Sequence, residues 1–144
     1  MNLRAIETAS ELWQRFNRCE WDSAKELLAE NFEAYWPQSG ERIMGPSNFI
    51  ELNRQYPGAH KIEVCNCQYG YDEKKSSHLV TTQVFIETAM PNGNKGKLYA
   101  LSFFTINEEF LITSAKEFWA ECYEPPEWRR HLVLPRDLEL PPTS

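Results

Sequence analysis

Glu117 and Trp119 stand two residues apart in a stretch that reads as a strand, so their side chains share one face. If that face is apolar and enclosed, loss of water raises the carboxyl pKa and suits Glu117 to acid–base work near neutral pH. The competing placement puts Glu117 on a solvated face or a subunit interface, beside Lys116 or Arg42. A second group lies at Tyr35, Gln38, Ser39 and Glu41, which offers a phenol, an amide, a hydroxyl and a carboxylate within seven residues. Such groups can orient a ligand. They can equally build a turn, with Ser39-Gly40 setting the bend and Arg42 pairing with Glu41. Trp13, Trp36, Phe104 and Trp119 supply flat apolar surface for a planar or lipophilic molecule, or else plain core.

Other chemistries find little support. The histidines are His60, His78 and His131, with the first two at strand starts. His78 serves as a base only if it points inward in phase with Val80 and Val84. Cys65 and Cys67 form a C-x-C pair, but no second pair completes a metal-binding spacing, so no metal is expected. No glycine-rich phosphate loop, zinc-protease motif or nucleophile elbow occurs, and no cofactor is expected.

These residues need elements to hold them. Ile6, Trp13 and Phe16 recur at helical spacing and predict a helix over 3–17. Asp22 or Ser23 caps a short second helix running to Ala29, with Trp21 stapled onto Leu27 or Leu28. Residues 31–38 read as a strand stopped near Pro37, and 41–44 as a short extended return. Gly45-Pro46-Ser47 opens a third helix over 47–56, closed by Pro57-Gly58. The remainder is β-rich: strands over 60–72, 78–88, 97–106 and 110–122, joined by short turns into an antiparallel meander. In the first of these, Ile62 and Val64 alternate in one phase and Cys65, Cys67, Tyr69 and Tyr71 in the other. A β-bulge produces such a switch. Residues 123–134 form an arm, and 135–144 a proline-rich loose tail.

The 144 residues suit one domain, placed over 1–134. Aromatic residues reach 13%, enough for a large core with side chains to spare for a cavity. Net charge is −6 and spread over both halves, which disfavours nucleic acid and anionic membranes as partners. The charged amphipathic start is unlike a secretory signal, and a cytoplasmic location is expected.

Helices first, then a long meander, give an α+β class. The sequence resembles the nuclear transport factor 2-like superfamily, in particular its polyketide-cyclase-like (SnoaL-like) group. The resemblance rests on Trp13, the stretch NRCEWDSAKELL over 17–28, the segment YWPQSGERIMG over 35–45, Tyr56-Pro57-Gly58, Glu117-Phe118-Trp119 and Pro125-Pro126-Glu127-Trp128-Arg129. It covers residues 3–132. It implies a cone-shaped, curved antiparallel sheet packed on three helices from the N-terminal half. It also implies a homodimer joined through the outer sheet face, which Tyr99, Leu101 and Phe103 would supply.

The catalytic sets of the superfamily do not carry over intact. The first helix has no tyrosine for steroid isomerisation. Asp22, Asp72 and Asp137 lie at a cap, a hairpin and the tail, which does not match an epoxide hydrolase set. The resemblance therefore implies a small apolar organic ligand in a hydrophobic cone. Any isomerisation, cyclisation or dehydration would use Glu117 as acid or base, with Tyr35 or Glu41 polarising the substrate. Trp13, Trp36, Gln38, Ser39, Phe104 and Trp119 would contact the ligand. The rival reading is a non-catalytic dimerisation or protein-association module of the same fold.

Overall fold

The computed structural model describes residues 3–134. Helix α1 (Leu3–Asn17) buries Ala5, Thr8, Ala9, Leu12, Trp13 and Phe16 along one stripe. Their spacing of three and four residues is what turns a helix into a one-sided wedge. The small residues at 5 and 9 allow close approach to the sheet, while Leu12, Trp13 and Phe16 fill its concavity.

Helix α2 (Trp21–Lys25) is shorter than the sequence suggests. Glu20 stands at its N-cap with no side-chain cap bond, and neither Asp22 nor Ser23 has that role. The chain must leave the helix early, because Leu27 already accepts a hydrogen bond from the Ile112 amide at the start of the sheet. Trp21 packs on Phe16 and His60.

Strand β1 (Leu28–Trp36) pairs with β2 (Glu41–Met44) as a hairpin. Gly45, at φ 87° and ψ 154°, then turns the chain into α3 (Pro46–Arg54). That backbone region is open essentially to glycine alone. Strands β3 (Ala59–Asp72), β4 (Ser77–Ala89), β5 (Lys95–Ile106) and β6 (Ile112–Glu121) form the expected antiparallel meander. The spatial order is β2-β1-β6-β5-β4-β3 in one curved, unclosed sheet.

One junction departs from the expected all-antiparallel pattern: β1 runs parallel to β6, with Ala34 beside Ala115. A hairpin forces antiparallel pairing, but strands separated by a long crossover are free to run parallel. The bulge falls where the phase switch predicts, with a register shift between Val64 and Asn66 that makes Cys65 the added residue.

The core fills the cone between α1, α3 and the sheet. Phe32 and Phe49 pack with ring centroids 4.9 Å apart, over Val80, Phe104, Ile106, Ile112 and Ala115. Burial of each large side chain here contributes about 1.5–3 kcal/mol. Among the described residues no helix is long and apolar enough to cross a membrane. The arm includes a 3₁₀ turn over Glu127–Leu132, which buries none of its residues and leaves Trp128 and Leu132 exposed. The tail expected over 135–144 lies outside the described residues.

Candidate ligand-binding site

Cross-strand pairing stacks the inward side chains in rows across the cone. A polar row runs Cys67, Thr82, Ser102 and Glu117 across β3, β4, β5 and β6. Below it, toward the closed end, lie Tyr69, Val80, Phe104 and Ala115. Above it, toward the open end, come Val64, Val84, Ala100 and Trp119, then Ile62, Ile86, Leu98 and Glu121.

The polar row is satisfied from two sides. The Trp13 indole N–H donates to Thr82 Oγ1 at 2.9 Å, tying α1 to β4. Ser102 donates to Glu117 Oε2 at 2.6 Å, and the Trp36 indole N–H donates to Oε1 at 3.0 Å. Glu117 is 2% exposed. Burial raises its pKa above the ordinary carboxyl range, and the hydrogen bonds from Ser102 and Trp36 oppose that shift only in part. Both donors are neutral, so no cation holds the carboxylate ionised.

Above this row opens a cavity of about 860 Å³. That matches the volumes of small-molecule sites. Trp13, Trp21, Trp36 and Trp119 line it, along with Phe16, Leu52, Ile62, Ile86, Met90 and Leu98. The Trp36 and Trp119 rings stand at 89° with centroids 5.7 Å apart, forming a corner. Gln38, Ser39 and Glu41 reach the mouth from the β1–β2 turn, and Glu121 from the end of β6. Gln38 Oε1 accepts the Trp119 amide N–H at 2.6 Å, so its side chain continues the ladder where β1 has ended.

The structure thus brings Trp13, Trp36, Trp119, Gln38, Ser39 and Glu41 to one cavity. Glu117 does not line it. The carboxyl sits in the row beneath and meets the cavity through Trp36.

Two expected positions are corrected. Tyr35 is 40% exposed on the outer face, because the alternation of β1 turns Phe32, Ala34 and Trp36 inward. It cannot polarise a ligand in the cone. Phe104 is buried in the row below Ser102 and belongs to the core rather than to the cavity wall.

The two histidines at strand starts are placed differently. His60 lines the cavity, with Nε2 donating to the Phe16 carbonyl at 2.8 Å. Its phase with Ile62 was the available signal. His78 does point inward in phase with Val80 and Val84, but it is buried at the end of β4 away from the cavity, bonded to the Tyr69 hydroxyl at 2.8 Å and stacked on Phe110. Tyr56 and Met90 were also missed as cavity residues, since they come from loops, where no periodicity points them inward.

The curved sheet, the N-terminal helices and the open cone define the nuclear transport factor 2-like fold. Solved structures agree. A ketosteroid isomerase-like protein of Kribbella flavida is 26% identical, with 98% of this chain and 96% of that chain covered at a TM-score of 0.72. A nuclear transport factor 2-like protein of unknown function from Burkholderia xenovorans is 21% identical, with 93% and 96% covered and a TM-score of 0.67. A polyketide cyclase-like protein of Xanthomonas campestris is 20% identical, with 80% and 89% covered and a TM-score of 0.60. No protein-family model matches the chain, and no curated protein matches it significantly.

Proposed function

We propose that the protein binds a small, mostly apolar organic molecule in the cone and exchanges a proton with it through Glu117. The observation that carries this is a tryptophan-walled cavity of about 860 Å³ lying directly over a fully buried carboxylic acid. The reaction class is isomerisation, cyclisation or dehydration. Each needs a proton moved on a carbon framework shielded from water. In this scheme the ligand displaces the Trp36 indole from Oε1 and takes its place beside the acid. The isomerase-like description of the Kribbella protein supports a polycyclic ligand of steroid size. The four cysteines are free thiols, which fits a reducing compartment such as the cytoplasm.

Binding is tested by titrating the protein with 17β-estradiol and following tryptophan emission. Saturable quenching is expected, with a Kd of about 1–100 μM. Absence of any saturable change up to the solubility limit would remove the pocket reading.

A second reading, association through the sheet, draws on the outer face. Leu79, Leu101 and Phe103 are exposed there at 40%, 39% and 43%, and Phe103 packs edge-on against Phe118. An apolar stripe of this kind marks a contact surface. We propose that two copies pair through it, which is compatible with an open cone on the other side. Light scattering is expected to give twice the chain mass, and Phe103→Glu to give a monomer. A monomeric parent protein would refute this part.

A further inference from the structure

The charge of the cavity wall points to a more specific ligand class. This inference rests on the binding reading above and adds to it. The residues that line the cavity include Glu41 and Glu121 at its mouth and not one lysine or arginine among the described residues. His60, also in the wall, has its Nε2 committed to the Phe16 carbonyl. The aromatic walls add a field of the same sense. Tryptophan carries the most negative ring face of the side chains, and four of them meet here, two at a right angle.

An anionic ligand entering this cone would lose its water and gain no counter-charge. A cation would meet aromatic faces inside and two carboxylates at the rim. We infer that the ligand is an amphipathic cation, an amine or quaternary ammonium on an apolar ring system. The apolar body would fill the aliphatic wall at Leu52, Ile62, Ile86 and Leu98, and the charged head would lie among the tryptophans and the rim carboxylates.

Three probes of nearly one shape separate charge from size: trimethyl(phenyl)ammonium, tert-butylbenzene and benzoate. Each is titrated into the full chain at low salt and followed by tryptophan emission. The ammonium is expected to bind about tenfold more tightly than tert-butylbenzene, and benzoate not to saturate. Added salt should weaken the ammonium and leave the neutral probe unaffected. A Glu41→Gln/Glu121→Gln double variant should bring the ratio of the two dissociation constants close to one.

Equal affinity of the ammonium and its neutral isostere, or saturable binding of benzoate at comparable strength, would overturn the charge assignment. If the neutral probe binds and the ammonium does not, the pocket stands and only the charge inference falls. If none of the three binds while 17β-estradiol does, the cationic class is again excluded. If estradiol also fails, the pocket reading falls with it.

Discussion

Replacing Glu117 by Gln is expected to leave the protein folded, to flatten the pH dependence of its stability and, if the proton-transfer reading holds, to lower turnover. Glutamine keeps the shape and the acceptor for the Trp36 indole N–H, and its amide can donate to Ser102 Oγ, so the polar row stays satisfied. The pH effect follows from burial. The folded-state pKa of Glu117 lies above its ordinary value of 4.5. Between those two values the folded chain holds a proton that the unfolded chain has released. Stability therefore falls as pH rises from about 4.5 through the folded pKa, by about 1.4 kcal/mol for each unit separating the two.

Urea unfolding at a series of pH values reads this directly. The parent protein should lose stability across the window, and Glu117→Gln should not. Glu117→Leu separates charge from hydrogen bonding. It removes the acceptor of the buried Ser102 hydroxyl and of the half-buried Trp36 indole N–H and should cost about 1–3 kcal/mol. If the proton-transfer reading holds, conversion of 5-androstene-3,17-dione to its conjugated isomer should proceed in the parent protein. In Glu117→Gln kcat should fall by about 10²–10⁴-fold. Equal rates in the two proteins would remove Glu117 from the chemistry. Equal pH profiles of stability would mean that its carboxyl stays ionised in the fold.

Trp13→Ala is expected to cause the largest loss of stability of any single change at the site. Trp13 is 3% exposed, packs edge-on against Phe16 and carries the hydrogen bond from α1 to Thr82. Its removal takes away a large buried surface, opens a void beside the cavity and orphans a hydroxyl that has no access to water. Truncations of this kind cost about 3–5 kcal/mol. Against a total of about 5–15 kcal/mol that is a large share. The melting temperature should drop by about 10 °C or more. Trp13→Phe keeps most of the surface and loses only the N–H, so it should cost about 1–2 kcal/mol. Calorimetry on both variants checks the order. A Trp13→Ala protein that melts with the parent would show that α1 is not anchored through this residue.

Much of the fold could be read from the residues because the signals were local. Hydrophobic spacing located α1. The change of phase between Val64 and Cys65 located the bulge, since side-chain alternation has a period of two and one added residue must invert it. The stop at Pro57-Gly58 separated the third helix from the meander.

Harder to read was which face of a strand turns inward when both faces carry apolar residues. β5 presents Leu98, Ala100 and Phe104 on one side and Tyr99, Leu101 and Phe103 on the other, so alternation alone left Glu117 undecided between cavity side and surface. Tyr35 and Trp36 are neighbours of similar character, and only the pairing of β1 with β6 shows which one enters the cone. That parallel pairing joins residues some eighty positions apart, and no local pattern encodes it. The surroundings of His78 were not legible either, because Tyr69 and Phe110 reach it from other elements.

The cavity above Glu117 is expected to take up a small apolar molecule. An NMR titration of uniformly ¹⁵N-labelled protein with 17β-estradiol tests it most directly, because the five tryptophan indole N–H signals report on the site without a probe. The indole signals of Trp36 and Trp119 and the Trp119 backbone amide are expected to move in a saturable way, while the amides of Leu101 and Phe103 on the outer face stay in place. No movement at the solubility limit, or movement confined to the outer face, would contradict the claim and favour an association module.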